Sequence, residues 1–126
     1  MFVRASSGSG GGGDGKNTLM LLDQNTGGLT TQSYYDEDLL EFVSGSFQIS
    51  GKSNVTFTSK VNGSMTAYIT DGDNAGGATL YVNGTIVANV SGSPYKTKVT
   101  NIPISVGDTL NWHSTAYYGE LTLVLE

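Results

Sequence analysis

From Asn54 to Thr70 the chain reads NVTFTSKVNGSMTAYIT, a run that alternates between two faces on either side of one Asn-Gly pair. Val55, Phe57, Ser59 and Val61 fall on one face, and Thr56, Thr58 and Lys60 on the other. After Asn62-Gly63, Met65, Ala67 and Ile69 resume the apolar face. A period of two marks a half-buried strand, because successive side chains of extended backbone point to opposite sides. Asn-Gly between two such runs predicts a hairpin, since both residues tolerate the positive φ of a type I′ turn. The pattern recurs at once in ATLYV (Ala78, Leu80, Val82), Asn83-Gly84 and TIVANV (Ile86, Ala88, Val90).

The rest of the chain repeats this grammar. EFVSGSFQIS gives Phe42-Val43, a Ser-Gly-Ser break, then Phe47 and Ile49 on one face. KTKVTNIPI leads into SVGDTLNW, where Gly107-Asp108 turns the chain. ELTLVLE places Leu121, Leu123 and Leu125 inward and Thr122 and Val124 outward. Upstream, NTLMLLD reads as a further strand and QNTGGLTTQS as a loop. The segment nearest to a helical period is YYDEDLLEFV (Tyr34 to Val43), which accommodates one helical turn capped by Asp36. Eight or more short strands at spacings of roughly 8–12 residues predict a sandwich or barrel. The expected fold is all-β: an antiparallel two-sheet sandwich, jelly-roll or immunoglobulin-like, over residues 17–126. Residues 1–16 are expected to form an extended Gly-rich arm outside it.

Composition narrows the function classes. The 126 residues suffice for one domain with a core of its own. There is no cysteine, so disulfides and thiolate metal sites are excluded. Charged residues are 13% of the chain, about half the usual share. The formal net charge of −5 argues against nucleic acid or anionic membrane as partner. Lys96 and Lys98 are the one close pair of cations. No segment approaches the length of an apolar membrane span. After Arg4 the N-terminus turns polar and Gly-rich where a signal peptide needs an apolar stretch.

Catalytic machinery is not legible, and the expectation is a protein that is not an enzyme. His113 is the lone histidine, and no G-x-S-x-G elbow exists to pair with it. Glu37, Glu41, Asp108 and Glu120 sit beside turns, where charge keeps loops wet. In TDGDNAGG, Asp71, Asp73 and Asn74 offer oxygen ligands at a spacing that suits calcium. The run lacks the closing Glu of an EF-hand, and Asp, Gly and Asn are also what a hairpin loop needs. No cofactor is expected, with calcium the one weak candidate. Trp112 shares parity with Leu110 and belongs in the core, with His113 on the opposite face. Tyr68 and Tyr81 take the outward parity, and Tyr117 and Tyr118 fall at a turn. Outward tyrosines can pack on a neighbouring subunit or stack on sugar rings. Subunit contact is favoured, since sugar platforms more often carry several tryptophans. Four N-x-S/T sequons begin at Asn54, Asn62, Asn83 and Asn89, and without a signal peptide they carry no weight.

Six of the eight residues from Gly8 to Gly15 are glycine, the composition of a flexible tether. Beyond it lies only the stub Met1 to Ser7. The opening MFVRASSGSGGGG and the closing SVGDTLNW resemble small virion proteins of tailed bacteriophages. Many of those begin with an M-[FY]-V-[KR]-A-S stub before a glycine run and end through a V-G-D-T-[LI] turn. The resemblance implies a structural appendage of the particle, a tail, fibre, baseplate or head-decoration component, and carries over no site residue. It places the protein in the virion, beside other virion proteins. An outer face carrying both Tyr68 and Tyr81, with few charges to keep molecules apart, is expected to associate with copies of itself, a trimer being favoured. On this reading Phe2, Val3 and Arg4 anchor the protein by adding a strand to an exposed sheet edge or entering a groove. The eight-residue tether spans roughly 16 Å typically and about 28 Å when stretched, enough to reach an adjacent subunit. Two alternatives stand beside it. One is a carbohydrate-binding module or host-glycan adhesin; the other is a subunit of a self-assembling extracellular filament with the stub as donor strand.

Overall fold

Val55 and Phe57 are fully buried while Thr56 and Thr58 are partly exposed, so the alternation of this run is realised as a strand. A computed structural model describes residues 3–5, 17–23, 33–46, 52–71, 77–92, 94–115 and 119–126. Within these residues the chain forms β1 (Val3–Ala5), β2 (Asn17–Asp23), β3 (Tyr34–Asp36), β4 (Leu40–Ser46) and β5 (Ser53–Ser59). There follow β6 (Gly63–Asp71), β7 (Ala78–Val82), β8 (Thr85–Val90), β9 (Lys96–Ile104), β10 (Thr109–Ser114) and β11 (Gly119–Leu125).

One sheet has the order β1-β3-β2-β11-β6-β9 and the other β4-β5-β10-β7-β8. Every pairing is antiparallel except that of β1 with β3. The chain changes sheet between β3 and β4, β5 and β6, β6 and β7, β8 and β9, β9 and β10, and β10 and β11. That repeated wrapping makes the sandwich a jelly roll and not an immunoglobulin-like fold. Val55, Phe57, Leu80, Leu110 and Trp112 of the five-stranded sheet pack against Met20, Leu22, Met65, Ile69, Leu121 and Leu123 of the other. Each such side chain contributes about 1.5–3 kcal/mol relative to exposure. Leu19, also fully buried, is the extra residue of a bulge where Leu123 faces Met20 but Val124 faces Thr18.

Two identical dipeptides behave differently. Asn83 and Gly84 have φ of 52° and 82° and close the β7–β8 hairpin as expected. Asn62-Gly63 closes no hairpin. β5 is already flanked by β4 and β10, and β6 by β9 and β11, so neither has an edge left for the other. Residues 60–62 instead carry the chain between sheets. The Ser59 hydroxyl donates to the Val61 carbonyl (2.7 Å) and accepts from the Val61 N–H (3.2 Å), and Asn62 Oδ1 accepts from the Val106 N–H (2.9 Å).

Two further expectations are corrected. The Ser44-Gly45-Ser46 break is a continuation of β4 through a bulge, in which Val43 is the extra residue between Phe42 and Ser44. Gly45 has φ of 103°, and a Cβ there would lie 2.0 Å from the Asn54 carbonyl oxygen. Tyr34 to Val43 contains no helical turn; β3 passes into β4 through a tight turn. The Leu39 N–H donates to the Asp36 carbonyl (3.0 Å), and the Asp38 N–H donates to Asp36 Oδ1 (2.9 Å). Asp36 therefore caps, but caps a turn. Phe47 and Ile49 lie outside the described residues.

The lateral edges are handled unequally. β4 carries the Val43 bulge, β8 gains Val87 as an extra residue, and β9 gains one at Thr100-Asn101, where Asn101 has φ of 60°. Pro103 removes a further donor from β9. Bulges and proline spoil an edge as a template for pairing. β3 has neither, and it is the strand on which β1 pairs, Val3 opposite Tyr34, Arg4 opposite Tyr35 and Ala5 opposite Asp36.

Candidate ligand-binding face

Parity sends Thr56, Asn111 and Tyr81 outward, because their neighbours Val55, Phe57, Leu110, Trp112 and Leu80 are buried. Register then aligns them. Asn111 of β10 sits directly opposite Thr56 of β5 on one side and Tyr81 of β7 on the other. One step along, His113 faces Asn54 and Thr79 in the same way. Residues directly opposite on neighbouring strands hold their Cβ atoms about 4.5–5.5 Å apart, so these rows are contiguous surface.

The central carboxamide is fixed in place. Asn111 Nδ2 donates toward Asn54 Oδ1 (2.9 Å), the Val55 carbonyl (3.0 Å) and Thr56 Oγ1 (3.0 Å). Asn89 Nδ2 similarly donates to Thr79 Oγ1 (2.8 Å). Around Asn111 a shallow recess of about 420 Å³ is lined by Thr56, Tyr81, Gly84, Thr109, Asn111 and His113. No carboxylate, ammonium or guanidinium lines it. The carboxylate of Asp108, in the neighbouring turn, is taken up by Asn83 Nδ2 (3.0 Å) and the Ser105 N–H (2.9 Å).

The opposite outer face has another character. Tyr68 of β6 is 42% exposed and carries the Lys98 ammonium 5.4 Å from its ring centroid, a cation–π contact. Its row runs from Lys98 through Tyr68, Thr122 and Leu21 to Tyr34. Tyr68 and Tyr81, expected on one outer face, therefore lie on two, because β6 and β7 belong to different sheets. Another recess, of about 480 Å³, lies beside the Tyr35–Phe42–Phe57 aromatic cluster, and there Lys60 Nζ is held by the Glu37 carbonyl (2.9 Å).

The remaining expected site residues separate. Val3 and Arg4 lie in β1 at the end of the six-stranded sheet, so the stub adds a strand to the edge of its own chain's sheet. Phe2, Tyr117 and Tyr118 lie outside the described residues. Asp71 is the last residue of β6, and Asp73 and Asn74 lie outside the described residues. Among the described residues no cluster of three His, Asp or Glu is placed to hold a metal. His113 is exposed on the face opposite to the buried Trp112, as parity required. Asn111 and Thr56 were not singled out by sequence; their outward parity was readable, but their alignment with Tyr81 was not.

No family model matches the sequence, and comparison with curated proteins yields no match. Among solved structures, GITRL from pika aligns over 87% of this chain and 95% of its own, with 13% identity and a TM-score of 0.49. GITRL from bushbaby aligns over 86% and 93%, with 12% identity and a TM-score of 0.45. A family 35 carbohydrate-binding module from an environmental isolate aligns over 88% and 84%, with 15% identity and a TM-score of 0.40.

Proposed function

We propose that the protein is a non-catalytic structural subunit of a virion appendage, of the tailed-bacteriophage kind that its two ends resemble. In the assembled form its Val3–Ala5 strand docks on β3 of a neighbouring copy, and the preferred assembly is a homotrimer. The observation that carries this reading is the treatment of the edges. β4, β8 and β9 are bulged, whereas β3 is regular and accepts an added strand. Reach supports exchange between copies. Ala5 pairs with Asp36, two strand spacings from β2, so a path of roughly 12 Å would return it to Asn17. The intervening residues 6–16 span about 36–40 Å when extended, so chain length does not confine β1 to its own domain. The aromatic and aliphatic row around Tyr68 supplies a second contact surface.

The test is removal of residues 1–15, followed by co-sedimentation or particle incorporation beside a thermal melt. The proposal expects a folded sandwich that no longer incorporates. Normal incorporation of the truncated protein refutes it.

A second reading, sugar binding by the displayed sandwich, is favoured by one observation: the uncharged row Thr56–Asn111–Tyr81. It is compatible with the first, because an anchored appendage presents its other sheet outward. Binding of labelled full-length protein to a glycan array tests it.

A further inference from the structure

We infer that the recess on the five-stranded sheet is the ligand site of this protein, and that it takes an uncharged, hydroxyl-rich ring: a pyranose of a neutral saccharide. The inference rests on the second reading above and gives it a location and a ligand class. Three features of the recess select that ligand.

The first is the ring. Tyr81 is half-buried on β7, with its neighbour Leu80 anchored in the core, so it presents one aromatic surface at low conformational cost. An aromatic face is electron-rich and attracts the polarised C–H groups of a pyranose. Directly opposite Tyr81 on β8 stands Ile86, 57% exposed, which extends the apolar strip beside the ring.

The second is the hydrogen-bonding inventory. Asn111 spends its Nδ2 protons on the sheet, which fixes the carboxamide plane and leaves Oδ1 as a positioned acceptor. Among the described residues no hydrogen bond engages that Oδ1, the Tyr81 hydroxyl or the His113 ring. An amide oxygen, a phenol and an imidazole around one ring match the mixed donor and acceptor character of sugar hydroxyls.

The third is charge. The lining holds no ammonium, guanidinium or carboxylate, and the chain carries −5 overall. A sialylated, sulfated or phosphorylated ligand would find no cation to pair with, and Asp108 beside the recess would oppose it. Two other recesses among the described residues fit this ligand less well. The recess beside Phe42 is rimmed by Glu37, Glu41 and Lys60, and the recess of about 360 Å³ beside Tyr68 holds Lys96 and Lys98.

The experiment uses the labelled full-length protein on an array carrying neutral oligosaccharides (glucose-, galactose-, mannose- and N-acetylglucosamine-based) beside sialylated and sulfated ones. Tyr81→Ala and Asn111→Asp are run in parallel, each with a thermal melt. The expected result is binding to a neutral glycan that falls about tenfold or more in Tyr81→Ala with an unchanged melt. Asn111→Asp loses binding as well. If its melt falls, Tyr81→Ala, which breaks no backbone contact, decides alone. Neutral-glycan binding that survives Tyr81→Ala overturns the location while leaving the sugar-binding reading in place. Binding confined to acidic glycans overturns the ligand class, and the absence of any glycan binding overturns both.

Discussion

Tyr68 and Tyr81 stand on opposite outer faces of the sandwich, the first on β6 of the six-stranded sheet and the second on β7 of the five-stranded sheet. On the proposed reading, the separation lets one small domain contact its neighbours through one sheet and present a different surface through the other. It also makes the two roles separable by mutation.

Tyr68→Ala is expected to weaken self-association, and Tyr81→Ala to leave it intact. Light scattering checks this. The wild type should approach three times the 13.2 kDa chain mass at high concentration, and Tyr68→Ala should shift toward the monomer. Equal masses for both variants remove Tyr68 from the interface.

The core is the next test. Trp112 is 1% exposed, opposite Val55 and Leu80 in its sheet, and its Nε1 has no hydrogen-bond partner among the described residues. Trp112→Ala should cost about 3–5 kcal/mol in denaturant unfolding. Because the chain has one tryptophan, its emission should be blue-shifted in the wild type and move red in a single step with unfolding. A solvent-exposed emission maximum in the native protein contradicts this packing.

Two glycines with positive φ should respond differently to a methyl group. At Gly45 the added carbon meets the Asn54 carbonyl at 2.0 Å, whereas at Gly84 nothing lies within 4 Å. Gly84→Ala should cost about 1 kcal/mol, the conformational penalty alone. Gly45→Ala should cost about 1–3 kcal/mol more, because β4 must pull away from β5. Paired denaturant melts measure the difference, and equal costs argue against the bulge.

Much of this fold could be read from single residues. Val55, Phe57, Leu110, Trp112, Leu121 and Leu123 occupy the inward parity that their alternation specified. What could not be read was pairing. Asn62-Gly63 and Asn83-Gly84 carry the same local φ preference, but only the second joins strands with edges available to each other. A dipeptide encodes a turn and not the partner across it. For the same reason Tyr81 was legible as outward, yet its row was not. Thr56, Tyr81 and Asn111 come from strands far apart in the chain, and only the register of β5, β10 and β7 brings them together. Ser44-Gly45-Ser46 read as a break because glycine disfavours regular strand, yet Gly45 continues β4 with φ of 103°, and the bulge that allows this depends on β5.

The central claim is that β1 pairs with β3 of a neighbouring copy, and disulfide trapping tests it most directly. The chain has no native cysteine, and Val3 and Tyr34 are Cα partners in the β1–β3 register. Val3→Cys is mixed with an affinity-tagged Tyr34→Cys, allowed to assemble and oxidised; a Val3→Cys, Tyr34→Cys double variant is treated alone. Strand partners lie within the Cα separation a disulfide spans. The account predicts a covalent heterodimer in the mixture, recognised by its mass and tag, and linked oligomers of the double variant. A double variant that closes only an internal bridge, with no heterodimer in the mixture, would contradict it and return β1 to its own domain.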